Sequence, residues 1–149
     1  MISFATHGLI AGELGAANAG LVLTPTLQDD GLLTTSEIAA LRLDADFVIL
    51  SACNTAAGSA DRAEGLSGLA SAFFLAGARS LLVSHWPVYS DAATRLTSGL
   101  VEAMASTPGI GRAEALRRSM LAVLDDPDAT ARSLHPAYWA PFLIAGEGN

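Results

Sequence analysis

The sequence predicts an α/β fold in which a mostly parallel sheet is flanked by helices. Three observations predict it. Asp46-Phe47-Val48-Ile49-Leu50-Ser51 and Ser80-Leu81-Leu82-Val83-Ser84 are strand-length apolar runs, continuous as in buried parallel strands. Between them Leu66, Leu69, Ala70, Phe73 and Phe74 fall at helical spacing. Strands that alternate with helices build parallel sheets covered on their faces.

The elements follow in order. Met1-Ile2-Ser3-Phe4-Ala5-Thr6 reads as a strand. A domain rarely begins inside a buried strand, so residues 1–149 are expected to be a single truncated domain, the C-terminal part of a longer protein. Its first strand should then expose an unpaired edge able to recruit a second copy. A Gly/Ala/Asn-rich loop follows to Gly20. Leu21-Val22-Leu23 and Gly31-Leu32-Leu33 flank Asp30-Gly31, a hairpin turn signal. Thr34-Thr35-Ser36-Glu37 fits a capping box and starts a short helix to about Leu41. After the strand at 46–51, a small-residue loop (Ala56 to Ala60) leads to a helix from about Leu66 to Ala76, with Gly77 as its C-cap. The strand at 80–84 stops before Pro87. Ser90 or Asp91 can cap a helix to about Ala105. Thr107-Pro108-Gly109 breaks the chain. A helix from Arg112 to Leu124 ends at Asp125-Asp126-Pro127, and Tyr138 to Ala145 reads as a last strand despite Pro141.

Composition narrows the function. Hydrophobic residues make up 51% of the 149 and charged residues 15%, which excludes a disordered chain. No apolar stretch approaches a membrane span and no signal peptide opens the chain, so a cytoplasmic protein without membrane contact is expected. One cysteine cannot build an internal disulfide framework. Eight Lys and Arg against fifteen Asp and Glu give a formal charge of −7, which argues against nucleic-acid binding.

Sites in open α/β sheets form beyond the carboxyl ends of strands. His7, Cys53 and His85 each follow a predicted strand there. A lone cysteine is most often a small buried hydrophobe, but here it sits in a polar loop with histidines at other strand ends. The thiolate is the nucleophile, and a neighbouring imidazole can take the thiol proton. Gly8 lets the backbone approach a substrate closely, and the amides of Gly8 and Cys53 suit an oxyanion hole. The three histidines and one cysteine have no metal-ligand spacing, so no metal and no cofactor is expected. Gly109-Ile110-Gly111 lacks the third glycine of a dinucleotide loop, Glu114 standing in its place. His135, before Pro136, reads as a turn residue.

Several motifs, in order along the chain, resemble the CHAT domain of caspase-like cysteine peptidases. They are Ala5-Thr6-His7-Gly8, Leu32-Leu33-Thr34 with Glu37-Ile38, Val48-Ile49-Leu50-Ser51-Ala52-Cys53-Asn54-Thr55 and Glu64-Gly65-Leu66. Ala76-Gly77-Ala78, Ser84-His85-Trp86-Pro87-Val88 and His135-Pro136-Ala137-Tyr138-Trp139-Ala140-Pro141-Phe142 complete the set. The resemblance implies a caspase- and separase-related fold, with His7 and Cys53 as the catalytic dyad and the backbone amides of Gly8 and Cys53 as oxyanion donors. It also implies a protein or peptide substrate, leading strands absent from this chain, and upstream helical repeats or a regulatory partner.

The resemblance favours His7 over His85 as the base. Trp86 could wall a substrate pocket, whereas Trp139 reads as core or core rim. Asp91 is either a helix cap or first-turn acid, or an acid that selects a basic side chain before the scissile bond, as in separases. Asp61 and Glu64 are alternatives. The leading reading is therefore a cysteine endopeptidase. The alternative is a catalytically inactive interaction module on the same fold. A different α/β hydrolase fits less well, because Ser51 and Thr55 stand where a nucleophile elbow needs glycines.

Overall fold

The computed structural model describes residues 1–9, 19–51 and 68–148. Among the described residues the main sheet has four strands: β1 (Ile2–Phe4), β5 (Val48–Leu50), β6 (Ser80–Ser84) and β7 (Phe142–Gly146), adjacent in that order. β1 and β5 pair in parallel, with Phe4 opposite Leu50, and β5 pairs in parallel with β6. β7 returns antiparallel along β6, Phe142 opposite Ser84. A smaller antiparallel sheet holds β2 (Gly8–Leu9), β3 (Gly20–Val22) and β4 (Leu32–Thr34), in which β3 and β4 form the expected hairpin.

The alternation of side chains along a strand divides the core in two. Val48 and Leu50 of β5, with Leu81 and Val83 of β6, face α1 (Thr35–Ala40) and α2 (Gly68–Leu75), meeting Ile38 and Phe73. Phe47, Ile49 and Leu82 face the other way, onto α3 (Ser90–Ser106) and α4 (Arg112–Leu124), meeting Leu96, Leu100 and Leu116. Helices cover both faces, which explains why these strands read as continuous apolar runs.

Local signals set the helix ends. The Thr34 hydroxyl accepts from the Glu37 N–H, and the Glu37 carboxylate accepts from the Thr34 N–H at 2.8 Å, completing the capping box of α1. Beyond α2, Gly77 adopts φ +100, its N–H donates to the Phe74 carbonyl at 3.0 Å and the Ala78 N–H to the Phe73 carbonyl at 3.0 Å. These are the two bonds of a Schellman motif, and the left-handed residue between them favours glycine.

Two elements differ from expectation. Neither Ser90 nor Asp91 caps α3: its N-cap is Tyr89, which makes no side-chain cap bond, and Asp91 lies in the first turn. The segment expected as one strand from Tyr138 begins instead as a helix. After α5 (Ala131–Leu134), α6 (Pro136–Trp139) starts with proline at its first position, and His135 Nδ1 accepts from the Ala137 N–H at 3.2 Å. Proline suits a first helical turn but cannot donate to a ladder, so β7 waits until Phe142. Trp139 is half-buried at the core rim. The expected loops over 10–18 and 56–60, and the start of the helix at Leu66, lie outside the described residues.

Candidate active site

The carboxyl ends of β1 and β5 lie side by side. Past Phe4 the chain is clamped to β3 on both sides of one peptide: the Thr6 hydroxyl donates to the Val22 carbonyl, and the Val22 N–H donates to the His7 carbonyl at 2.9 Å. The main chain of His7 is thus fixed while its side chain is exposed. Past Leu50, the Ser51 N–H and hydroxyl both donate to the Phe4 carbonyl, at 3.2 and 3.3 Å. Ser51 thereby holds the exit of β5 against the exit of β1. Cys53 lies outside the described residues, as do Asp61 and Glu64.

The register bears on Gly8. Gly8 stands opposite Leu21, while the bond next to that pair runs from the Val22 N–H to the His7 carbonyl. Antiparallel pairs alternate between bonded and non-bonded. Gly8 therefore occupies a non-bonded position, and its N–H turns away from β3. Among the described strands β2 stands at the end of its sheet, so that amide points away from its one described neighbour, β3.

A cleft of about 410 Å³ opens beside His7. One wall is the exit of the two strands, with Thr6, His7 and Ser51; the other is the start of α3, with Ser90, Ala93, Thr94 and Thr97. The i, i+3, i+4, i+7 spacing of those four puts them on one helix face. That spacing is visible in the sequence, which nevertheless gave no reason to prefer this face to its neighbours.

Among the described residues, Asp91, Trp86 and His85 are not among the residues that line this cleft. Asp91 faces α5 and α6: its Oδ2 accepts from the Tyr138 hydroxyl of α6 at 3.2 Å and its Oδ1 meets Arg132 of α5 at 3.4 Å. The Arg132 guanidinium lies 4.2 Å from the centre of the Tyr89 ring. Burial, and then the Asp91 carboxylate, raise the Tyr138 pKa. Arg132 was not singled out in the sequence, because its partner lies 41 positions away. The Trp86 indole donates to the Ala137 carbonyl at 3.2 Å and stacks on the His85 ring, and the His85 main-chain N–H donates to the Pro141 carbonyl at 2.9 Å. Among the described residues no group of His, Cys, Asp and Glu could hold a metal ion, and no helix is long and apolar enough to cross a membrane.

Comparison with known proteins decides the family. The CHAT domain pattern matches residues 1–147. The chain belongs to the CHAT domain family. Its α/β sheet, mostly parallel and flanked by helices, is the caspase-like arrangement expected of that family. The CHAT chain is 32% identical over 119 residues to tetratricopeptide repeat protein 28 of Mus musculus, and 30% identical over 122 residues to tetratricopeptide repeat protein 28 of Homo sapiens. These alignments cover 77% and 82% of the CHAT chain but only 4% and 5% of the relatives' length.

Proposed function

We propose that this domain is a cysteine endopeptidase that uses a dyad of His7 and Cys53. One observation carries the reading. β1 and β5 pair in parallel with Phe4 opposite Leu50, His7 follows Phe4 by three positions, and Cys53 follows Leu50 by three. Adjacent strands lie about 4.8 Å apart. Equal overhangs from such neighbours favour bringing an imidazole and a thiol together.

The chemistry follows from that pairing. His7 takes the Cys53 proton, and the thiolate attacks the scissile carbonyl carbon to form an S–C bond. The resulting oxyanion is met by the Gly8 and Cys53 amides, the first of which is turned away from β3 by its register. His7 returns the proton to the leaving amine as the C–N bond breaks. Water, deprotonated by His7, then releases the acyl group and restores the thiol.

The substrate is a protein or peptide that reaches the cleft beside His7. Upstream helical repeats are the proposed delivery device, a reading supported by the repeat-protein name of the relatives. Self-association through the β1 edge is proposed alongside, since Ile2 and Phe4 address β5 and leave Ser3 facing outward. The proposed compartment is the cytoplasm.

An electrophilic peptide probe tests the dyad in the full-length protein. Cys53 should be labelled, labelling should drop sharply in His7→Ala, and Cys53→Ala should stop peptide cleavage without unfolding the domain. Cleavage that persists in Cys53→Ala overturns the reading. Absence of both labelling and cleavage leaves the interaction module in its place.

A further inference from the structure

The pairing of His7 with β3 mixes main chain and side chain. One step along the register from Gly8 and Leu21, His7 stands opposite Val22, at a bonded position of the ladder. A regular bonded pair exchanges two main-chain bonds. Here the Val22 N–H donates to the His7 carbonyl at 2.9 Å, but the Val22 carbonyl accepts from the Thr6 hydroxyl. The Thr6 side chain thus takes the acceptor that the His7 N–H would use in a continuing strand. The chain bends at Thr6, and β2 begins only at Gly8.

Serine and threonine hydroxyls compete with main-chain amides for carbonyls in this way. Ser51 is a different case. Its hydroxyl joins its own N–H on the Phe4 carbonyl, so it repeats a link that the main chain already makes. The Thr6 hydroxyl makes a link of its own, tying the residue before His7 to the Val22 carbonyl. Upstream, the Phe4 ring packs on Phe73 with centroids 5.4 Å apart, so both ends of the short Phe4–His7 stretch are held. Two side-chain torsions then set the imidazole on that main chain.

We infer that Thr6 is a positioning residue for His7: its hydroxyl stops the chain from continuing as a regular strand and so holds the imidazole at the cleft that His7 lines. The inference rests on the cysteine-peptidase reading of the same site. Without the hydroxyl, the vacated Val22 carbonyl is the natural acceptor for the His7 N–H, and the ladder extends by one residue. His7 then takes the pleat of β2, in which successive side chains alternate between faces. Its imidazole moves relative to the thiol it deprotonates.

Peptide-cleavage kinetics of the full chain test this. Thr6→Val removes the hydroxyl and keeps the volume, Thr6→Ala removes it with no second methyl to place, and Thr6→Ser keeps it. Both hydroxyl-free variants should lower kcat by a factor on the order of 10 to 100, the cost of misplacing a reacting group by about 1 Å. KM should change far less. Thr6→Ser should retain most of the native rate. The acid limb of kcat/KM, which reports ionisation in the free enzyme, should move up toward the value of about 8.5 for a free thiol. Unfolded molecules cleave nothing, so partial unfolding would lower the rate and leave that limb in place. Native rate and profile in both hydroxyl-free variants overturn the inference. So does a Thr6→Ser variant as impaired as Thr6→Val, since the hydroxyl is then not the group that matters.

NMR of the full chain carrying isotope-labelled histidine reads the inference without cleavage. The His7 ring resonance, assigned by its loss in His7→Ala, should move in Thr6→Val and Thr6→Ala and stay near its native place in Thr6→Ser. If that pattern appears while the native chain cleaves nothing, the positioning inference stands and the peptidase reading fails. A His7 resonance unmoved in both hydroxyl-free variants overturns the inference itself.

Discussion

The Tyr138 hydroxyl donates a 3.2 Å hydrogen bond to the Asp91 carboxylate, joining α6 to the first turn of α3. Tyr138 is buried, and Arg132 spans the same carboxylate and the Tyr89 ring. Asp91 is thus an acceptor shared by two residues of the Ala131–Trp139 segment.

That bond predicts an alkaline effect. Burial first, and the Asp91 charge second, raise the Tyr138 pKa above its ordinary value of 10.0. A raised pKa gives stability that is complete below the unfolded value and is lost as pH rises through the folded one. Asp91→Asn should lower the Tyr138 titration only part-way, because burial remains. Phenolate absorbance during alkaline titration checks this, and an unchanged midpoint would contradict it.

At the other pH extreme, Glu114 accepts from Arg117 at 2.6 Å and from Arg118 at 3.0 Å. These bonds hold its pKa at about 2, below the ordinary 4.5. The sign is opposite to that of Tyr138: the contribution is complete above about pH 4.5 and is lost as pH falls through about 2. Glu114→Gln should flatten the stability profile across this window, which urea melts at stepped pH would read. The pairs are solvent-exposed, so the change at neutral pH should be small.

Gly99 marks the close approach of α3 and α4. A Cβ built there would lie 2.6 Å from the Ser119 hydroxyl oxygen and 3.2 Å from its Cβ. Ser119 is buried and donates to the Leu96 carbonyl at 2.8 Å, so it cannot swing away freely. Gly99→Ala should destabilise by about 1–3 kcal/mol, typical of overpacking. Adding Ser119→Ala should recover part of the loss in a thermal melt. An equal or higher melting temperature in the single variant would refute the tight crossing.

The β1 edge gives a test of self-association. The Ser3 amide is not used in pairing with β5, so Ser3→Pro removes an outward donor without costing an internal bond. If chains pair through this edge, sedimentation should show wild-type oligomers dissociating in Ser3→Pro. Oligomers that survive the substitution would place the contact elsewhere.

The sequence made some features legible because their causes are local. The capping box at Thr34 and Glu37 and the glycine stop at Gly77 need only a few neighbouring residues. The strand at 80–84 shows itself because both its faces are buried. Other features depend on partners far along the chain. The antiparallel direction of β7 is set by its pairing with β6, and two-residue β2 is too short to carry a period. Pro136 outweighed the apolar run around it, turning an expected strand start into α6. At the site, strand-end placement made His7 readable, and the register of Phe4 with Leu50 added its relation to β5. The cleft-lining face of α3 required the fold, since nothing in the sequence says which side of that helix meets the strands.

The sheet's register also has a kinetic consequence. Ile2 pairs with Val48, and Leu81 with Ala145, so each contact in the main sheet's outer pairs closes a long loop. α3 and α4, by contrast, are near neighbours in sequence and pack closely. Topologies rich in distant contacts fold slowly. During refolding, pulse-labelled hydrogen exchange should find α3 and α4 amides protected before those of β6 and β7. On the ribosome, β6 must wait for Phe142–Gly146 to emerge before that side is paired, and until then Leu82 and Val83 belong to a strand that is still an aggregation hazard.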